Sequence, residues 1–396
     1  MTIPLPRNIH WRLLWLLGFL WMAGSLVMQS RQLSATGDEY LHLTAGYVKW
    51  LDQRFTMGAY QPPLGQLLLA LPLLARSDLR LDLALPSYRG NRWELFTDQF
   101  IYEGGVDAVA VLRLGRAMAC AITLLATVMG TLYLWRRFGP GPAALASLWW
   151  MLHPQVLAQG FAVRMDLLAA VAFAAAALAL AGYLQDSSRP KFLWLALAFS
   201  VAQLLKAHAW ALFPALLLFW KNPWQRSVPR PWRALLALLS IWLAITWLVY
   251  AFETKPLLAD VAAREQKVAS LHRMLAHAPI LKDLALKAAD RWPIPAKSYW
   301  LTWPNTLLRG LVNGGGSDIA PYRDWRFWAY YPVLFLIKTP LAHLAVLFWA
   351  LALPGARRNL GRDPFLQTLL WVYGALALLV LLNSSHSGLQ HALPLW

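Results

Sequence analysis

Apolar residues run through this chain in long blocks separated by short polar stretches. Blocks near 13–29, 108–135, 143–161, 167–184, 192–205, 208–220, 234–252, 327–353 and 365–382 read as membrane segments. Several approach the roughly 20 residues that a helix needs to cross a bilayer. Backbone in lipid must satisfy its own hydrogen bonds, so such runs predict helices. The ten-residue alternation of a membrane barrel is missing. Blocks 192–205 and 208–220 are each short for a crossing. They fit two short helices meeting at a turn around Lys206, or one long bent segment.

Two long connections interrupt the pattern, residues 30–107 and 253–326. Both are too long for idle connectors in a compact protein. In the first, LTAGYVKWLDQRF has the spacing of an amphipathic helix, with Leu43, Tyr47, Val48 and Leu51 on one face. PPLGQLLLALPLL follows, an apolar piece between Pro62 and Pro72 that is too short to span; an interfacial or re-entrant position suits it. In the second, VAAREQKVASLHRMLAHAP predicts a helix that stops at Pro279. The glycines 314–316 read as a turn, because a nucleotide loop needs ordered spacing and a following Lys-Ser/Thr. The aromatic residues around 322–331 read as a membrane-interface belt.

Composition agrees with the pattern. Hydrophobic residues make up 59% and charged residues only 14%, too few charges to cover a soluble surface. The net charge is +17, yet the bases cluster in short segments between apolar blocks, which argues for membrane topology and against a nucleic-acid partner. The 23 Trp and 13 Tyr suit aromatic belts at the two interfaces. Arg7, Arg12, Arg136, Arg137, Arg189, Lys191, Lys221, Arg226, Arg230, Arg233, Arg357, Arg358 and Arg362 all fall on one side if 192–220 is a hairpin. The positive-inside rule makes that side cytoplasmic and puts both long connections outside. Cys120 is the only cysteine and lies in an apolar block, so no disulfide forms within the chain. The basic, apolar beginning reads as a retained first helix, since no small-residue cleavage site follows it. The expected architecture is an all-α polytopic membrane protein with a single membrane domain over 1–396.

Several polar residues stand where the pattern makes them expensive. Asp38 and Glu39 follow the first block, Arg164 and Asp166 sit in FAVRMDLLAA, and Lys206 lies in LLKAHAW. Lys338 falls inside AYYPVLFLIKTPLAHL, and His386, Gln390 and His391 follow the last block. All except Lys338 are expected at or near the outer face. A carboxylate there can take a proton from an attacking hydroxyl, and Lys and Arg can offset the charge of a phosphate leaving group. Lipid on one side accommodates a long apolar tail, so a sugar linked to a lipid phosphate fits. Blander readings stand beside these. Asp38 and Glu39 are acids outside a span, Asp166 caps a helix starting at Leu167, Arg164 touches headgroups, and Lys206 snorkels. Two histidines five residues apart are thin evidence for metal.

At this point the chain resembles the polytopic GT-C glycosyltransferases, specifically the bacterial protein O-mannosyltransferase-like members of glycosyltransferase family 39. The resemblance spreads over nearly the whole chain. It is carried by GDEYLHLTAGYVKWL, QPPLGQLLLALPLL, LGRAMA, RRFGPGPAALAS, HPQVLAQGFAVRMDLLAAVAF, LLKAHAWALFP and DWRFWAYYPVLFLIKTPLAHL. It implies a GT-C-like helical fold with amphipathic helices in the first external loop. It also implies a polyprenyl-phosphate sugar donor and transfer at the extracytoplasmic face of a bacterial inner membrane. Asp38 would be the base, with inversion at the anomeric carbon, and Glu39 would support it or orient the acceptor. Asp166 would organise donor or acceptor. Lys206, Lys338 and Arg164 would contact donor phosphate, while Tyr40, His386, Gln390 and His391 would serve substrate or structure. Relatives often have Thr before the second acid and Arg before the terminal His, where this chain has VRMD and Gln390. They often continue through further helices, so a C-terminally short member is expected.

The acceptor stays open among a glycan, a lipid and a protein hydroxyl. A divalent cation on Asp38, Glu39 and Asp166 also stays open. Two other classes use the same features. A transporter or flippase for polyprenyl-linked glycans would need a path across the bilayer, for which no inverted repeat is seen. A noncatalytic assembly partner in a glycan-synthesis complex would need a protein partner instead.

Overall fold

The first apolar block becomes α1 (Ile9–Gln32), and only Leu33, Ser34, Ala35 and Thr36 separate its end from α2 (Gly37–Asp52). These coordinates are a computed structural model that describes residues 9–59, 61–220, 228–256, 293–300 and 363–382, with a few isolated positions besides. The described chain is mostly helical. Among the described residues four helices are long and apolar enough to cross a membrane: α1, α6 (Ala108–Phe138), α9 (Met165–Gln185) and α12 (Pro231–Val249). An all-α polytopic membrane protein is the architecture these elements support.

Polar side chains tie α1 to its neighbours inside the bundle. Trp15 Nε1 donates to Thr131 Oγ1 at 3.0 Å, Trp150 Nε1 donates to Thr127 Oγ1 at 3.0 Å, and Thr131 bonds Ser147 at 2.7 Å. These bonds join α1, α6 and α7 (Pro140–Leu152), as hydroxyls and indoles do where lipid offers no competing partner. The block expected to run unbroken over 143–161 is divided instead. α7 stops at Leu152, and α8 (Pro154–Gly160) starts after His153. Pro154 is the cause: it lacks an N–H and pushes the preceding residue out of the helical region, with His153 at ψ 122. His153 Nδ1 then accepts from Gln155 N at 3.2 Å and caps the new helix.

The short pair behaves as a hairpin. α10 (Arg189–Leu205) ends at Lys206, which is fully extended at φ −158 and ψ 143. Tight 3₁₀ turns and a single α-turn, α11 (Leu212–Ala215), make up the return over 207–219. Phe199 and Phe213 would sit about 21 Å apart along a straight helix, yet their rings are 5.2 Å apart. Tyr183 on α9 receives Phe192 and Phe219 from the two arms at 5.5 and 5.7 Å.

α9 is the most deeply buried spanning helix. α10 covers one side, and the helix Pro364–Leu382 covers another through Phe173 and Tyr373, whose rings are 5.7 Å apart. After α12 a two-stranded antiparallel ribbon pairs Thr254 with Pro295 and Lys255 with Ile294.

The first long connection is built from short helices. α2 holds Leu43, Tyr47 and Val48 in the core, but Leu51 is exposed, so the expected apolar face ends one turn early. The apolar PPLGQLLLALPLL forms α3 (Leu64–Ala70) and a 3₁₀ turn (Leu71–Ala75), too short to span, as expected. α4 (Pro86–Arg89) and α5 (Trp93–Asp98) complete the connection. Block 327–353, the Pro279 helix, the 314–316 glycines and the 322–331 aromatics lie outside the described residues.

Candidate functional site

The site forms where α2 begins, and the two adjacent acids there have different fates. Glu39 is 0% exposed. Its Oε1 accepts from Arg116 Nε at 2.9 Å and from Val163 N at 3.1 Å. Its Oε2 accepts from Arg116 Nη2 at 2.7 Å and from Thr36 N at 2.9 Å. Arg116 projects from α6 and spends its other donors on backbone carbonyls at the end of α1. Nη1 donates to Ser30 O at 3.0 Å and Leu33 O at 2.7 Å, and Nη2 to Ser34 O at 2.9 Å. All five N–H groups of the guanidinium are therefore satisfied, and it lies 5.2 Å from the Phe161 ring centre. Burial works against charge on Glu39, but the bonds from Arg116, Thr36 and Val163 and the guanidinium charge outweigh it and hold the carboxyl below its usual range. Glu39 is thus the anchor that docks α2 onto α6 and the 160s segment.

Asp38, one residue earlier, keeps 63% of its side chain exposed. Its carboxylate lies 3.7 Å from Arg164 Nη2. Arg164 precedes α9, and its Nε is buried with no hydrogen-bond partner among the described residues. Two residues on, Asp166 sits in the first turn of α9, where the helix dipole favours an acid. The cap position belongs to Arg164, so Asp166 does not cap the helix. Its carboxylate receives the buried ammonium of Lys206 from the hairpin turn. Asp38, Arg164, Asp166 and Lys206 therefore meet at one end of the helices, although they come from three separate stretches of sequence. Tyr40 is structural: it is buried and donates to Ala108 O at 3.2 Å. Lys338, His386, Gln390 and His391 lie outside the described residues.

Glu39 is consumed by Arg116, so the three acids do not gather for a cation. Among the described residues no group of three or more His, Cys, Asp or Glu does so.

Four further residues escaped the sequence reading. Arg116 is a charge inside an apolar block, which is itself a signal. His42 and Lys49 follow Asp38 by 4 and 11 residues, which puts all three on one stripe of α2. Gln66 on α3 closes the set. Lys49 is buried and donates to Met57 O, to Gln66 Oε1 at 2.7 Å and, weakly, to Ala45 O at 3.5 Å. Burial brings its pKa down to about 7. Gln66 Nε2 reaches His42 Nδ1 at 3.3 Å and Gly58 O at 3.4 Å. Burial lowers the His42 pKa to about 4. The carboxylates of Asp38 and Asp166 oppose that shift, and the charges of Lys49 and Arg164 assist it.

Two glycines let the elements close around this set. A methyl group on Gly46 would lie 2.1 Å from Gln66 O, so only glycine lets α3 approach α2 here. A methyl on Gly115, beside Arg116, would meet Leu43 Cδ2 at 2.6 Å. No protein-family model matches the chain, and neither a curated protein nor a solved structure matches it.

Proposed function

We propose that the chain is an inverting glycosyltransferase of the GT-C kind, resembling family 39, that uses a polyprenyl-phosphate sugar as donor. The observation that carries this reading is the exposed Asp38 carboxylate held beside Arg164, next to the Asp166–Lys206 pair. A base that must accept a substrate proton needs an accessible carboxylate, and Asp38 is the accessible one of the two adjacent acids. In the reaction an acceptor hydroxyl oxygen bonds to the anomeric carbon as its proton passes to Asp38. The bond from that carbon to the phosphate oxygen breaks, and the phosphate leaves with the electron pair. Arg164, whose Nε–H is unspent, offsets the developing charge with Lys206. Asp166 holds Lys206 in place, and the family resemblance gives Lys338 a donor-phosphate role as well. Glu39 is a positioning residue.

The proposed orientation is supported by α6. Arg116 lies in the site layer, and Arg137 lies 21 residues further along the same helix, about 30 Å away and close to the thickness of a hydrocarbon core. Arg137 faces Asp363 at 3.9 Å, which brings the start of the Pro364–Leu382 helix to that basic end. The positive-inside rule then assigns the basic end to the cytoplasm and the site to the periplasm or exterior of a bacterial inner membrane.

The test is transfer from a panel of radiolabelled polyprenyl-phosphate sugars in membranes, comparing the native chain with equally expressed Asp38→Asn. Transfer by the native chain alone is expected. Equal transfer by both overturns the base assignment. Lipid translocation without transfer would point to a flippase.

A further inference from the structure

Gln66 is held at both ends by groups that fix which way its amide faces. The Lys49 amine donates to the oxygen end, and the Gly58 carbonyl accepts at the nitrogen end. Deprotonation of Lys49 does not reverse this, because the amine keeps two protons for Met57 O and Gln66 Oε1 and releases only the 3.5 Å contact to Ala45 O. One Nε2 hydrogen of Gln66 points to Gly58 O, and the other is given to His42 Nδ1. Nδ1 must therefore be an unprotonated acceptor, and the proton of the neutral ring must be on Nε2. His42 lies one helical turn from Asp38 on the same stripe, is only half-buried, and its Nε2 has no protein partner among the described residues. The charged groups around it are Asp38 and Asp166 on one account and Lys49 and Arg164 on the other.

We propose that His42 is a ligand-facing hydrogen-bond donor of this site, locked as the neutral Nε2–H tautomer by Lys49 acting through Gln66, and that it donates to an oxygen of the bound lipid-phosphate sugar. This rests on the reading of the site as a lipid-phosphate-sugar site. An ionised histidine would pair with Asp38 and weaken it as a base. A locked neutral ring supplies a donor and adds no second positive charge to the one Arg164 already sets beside Asp38. Lys49 and Gln66 are positioning residues, since they act through His42.

The experiment is ¹⁵N NMR of the histidine rings in the full chain, with His42 assigned by comparison with His42→Gln. At neutral pH the native chain is expected to show His42 with Nδ1 unprotonated and Nε2 protonated. A protonated Nδ1 overturns the lock. Gln66→Glu replaces the amide donor with an acceptor and is expected to move the proton to Nδ1. Titration with a sugar-free polyprenyl monophosphate is expected to shift the Nε2 resonance of the native chain. No displacement at any lipid concentration overturns the ligand-facing role, whether or not the chain transfers sugar. In the transfer assay His42→Phe is expected to lose about 10–100-fold, and His42→Gln, which restores an N–H near Nε2, to recover most of it. Transfer by His42→Phe at the native rate overturns the donor role. Absence of transfer by the native chain overturns the glycosyltransferase reading and leaves the NMR results to decide the lock and the contact.

Discussion

At the scale of single residues, neighbouring acids do different work because their surroundings differ. Glu39 is sealed against Arg116, while Asp38 stands open beside Arg164. Removing one member of a buried pair leaves the other charge uncompensated. Glu39→Gln is therefore expected to destabilise the fold by about 3–5 kcal/mol, measured by thermal unfolding in detergent. An unchanged midpoint would contradict the anchor role. The same site sets an acid limit. The Glu39 carboxyl is held below its ordinary value of 4.5, so its stabilisation is complete above that value and is lost as pH falls through the lowered one. The native chain should lose stability below about pH 4.5 more steeply than Glu39→Gln does. Parallel acid limbs in the two proteins would place the effect elsewhere.

At the scale of elements, α2 carries two stripes at once: Leu43, Tyr47 and Val48 face the core, and Asp38, His42 and Lys49 face the site. Gly46 makes the second stripe usable by admitting α3. Gly46→Ala is expected to cost about 1–3 kcal/mol through forced separation of the two helices. Gly24→Ala, where an added methyl meets nothing within 4 Å, should instead leave stability unchanged or raise it by about 0.5–1 kcal/mol. Equal effects at both positions would remove the close-approach argument. Much of this level was legible in sequence. Block length located α1, α6, α9, α10 and α12, helix period located α2, and the placement of basic residues on either side of 192–220 favoured the hairpin. Other features were hidden for physical reasons. A proline inside an apolar block divided α7 from α8. The role of Lys49 was not legible, because its hydrogen-bonding partners, Met57 O and Gln66, come from chain that returns only after folding. The role of Glu39 depended on Arg116, 77 residues away.

At the scale of the whole molecule, the polar site and the paired arginines occupy opposite ends of α6, about a bilayer core apart. Single cysteines at exposed positions test that arrangement: Glu103→Cys beside the site layer and Arg136→Cys at the basic end, with buried Cys120 as the background. In intact cells a membrane-impermeant thiol reagent should label the first and spare the second. Labelling of Arg136→Cys alone would invert the topology. On the proposed reading Asp38 accepts the proton of the attacking hydroxyl from within a site that other residues assemble. The most direct test of this role is to measure donor binding and transfer rate separately, for the purified native chain and for Asp38→Asn. Donor affinity is expected to stay within a few-fold of native and the transfer rate to fall by about 10²–10⁴-fold. A variant that transfers at the native rate, or that loses rate only in proportion to lost donor binding, would contradict it.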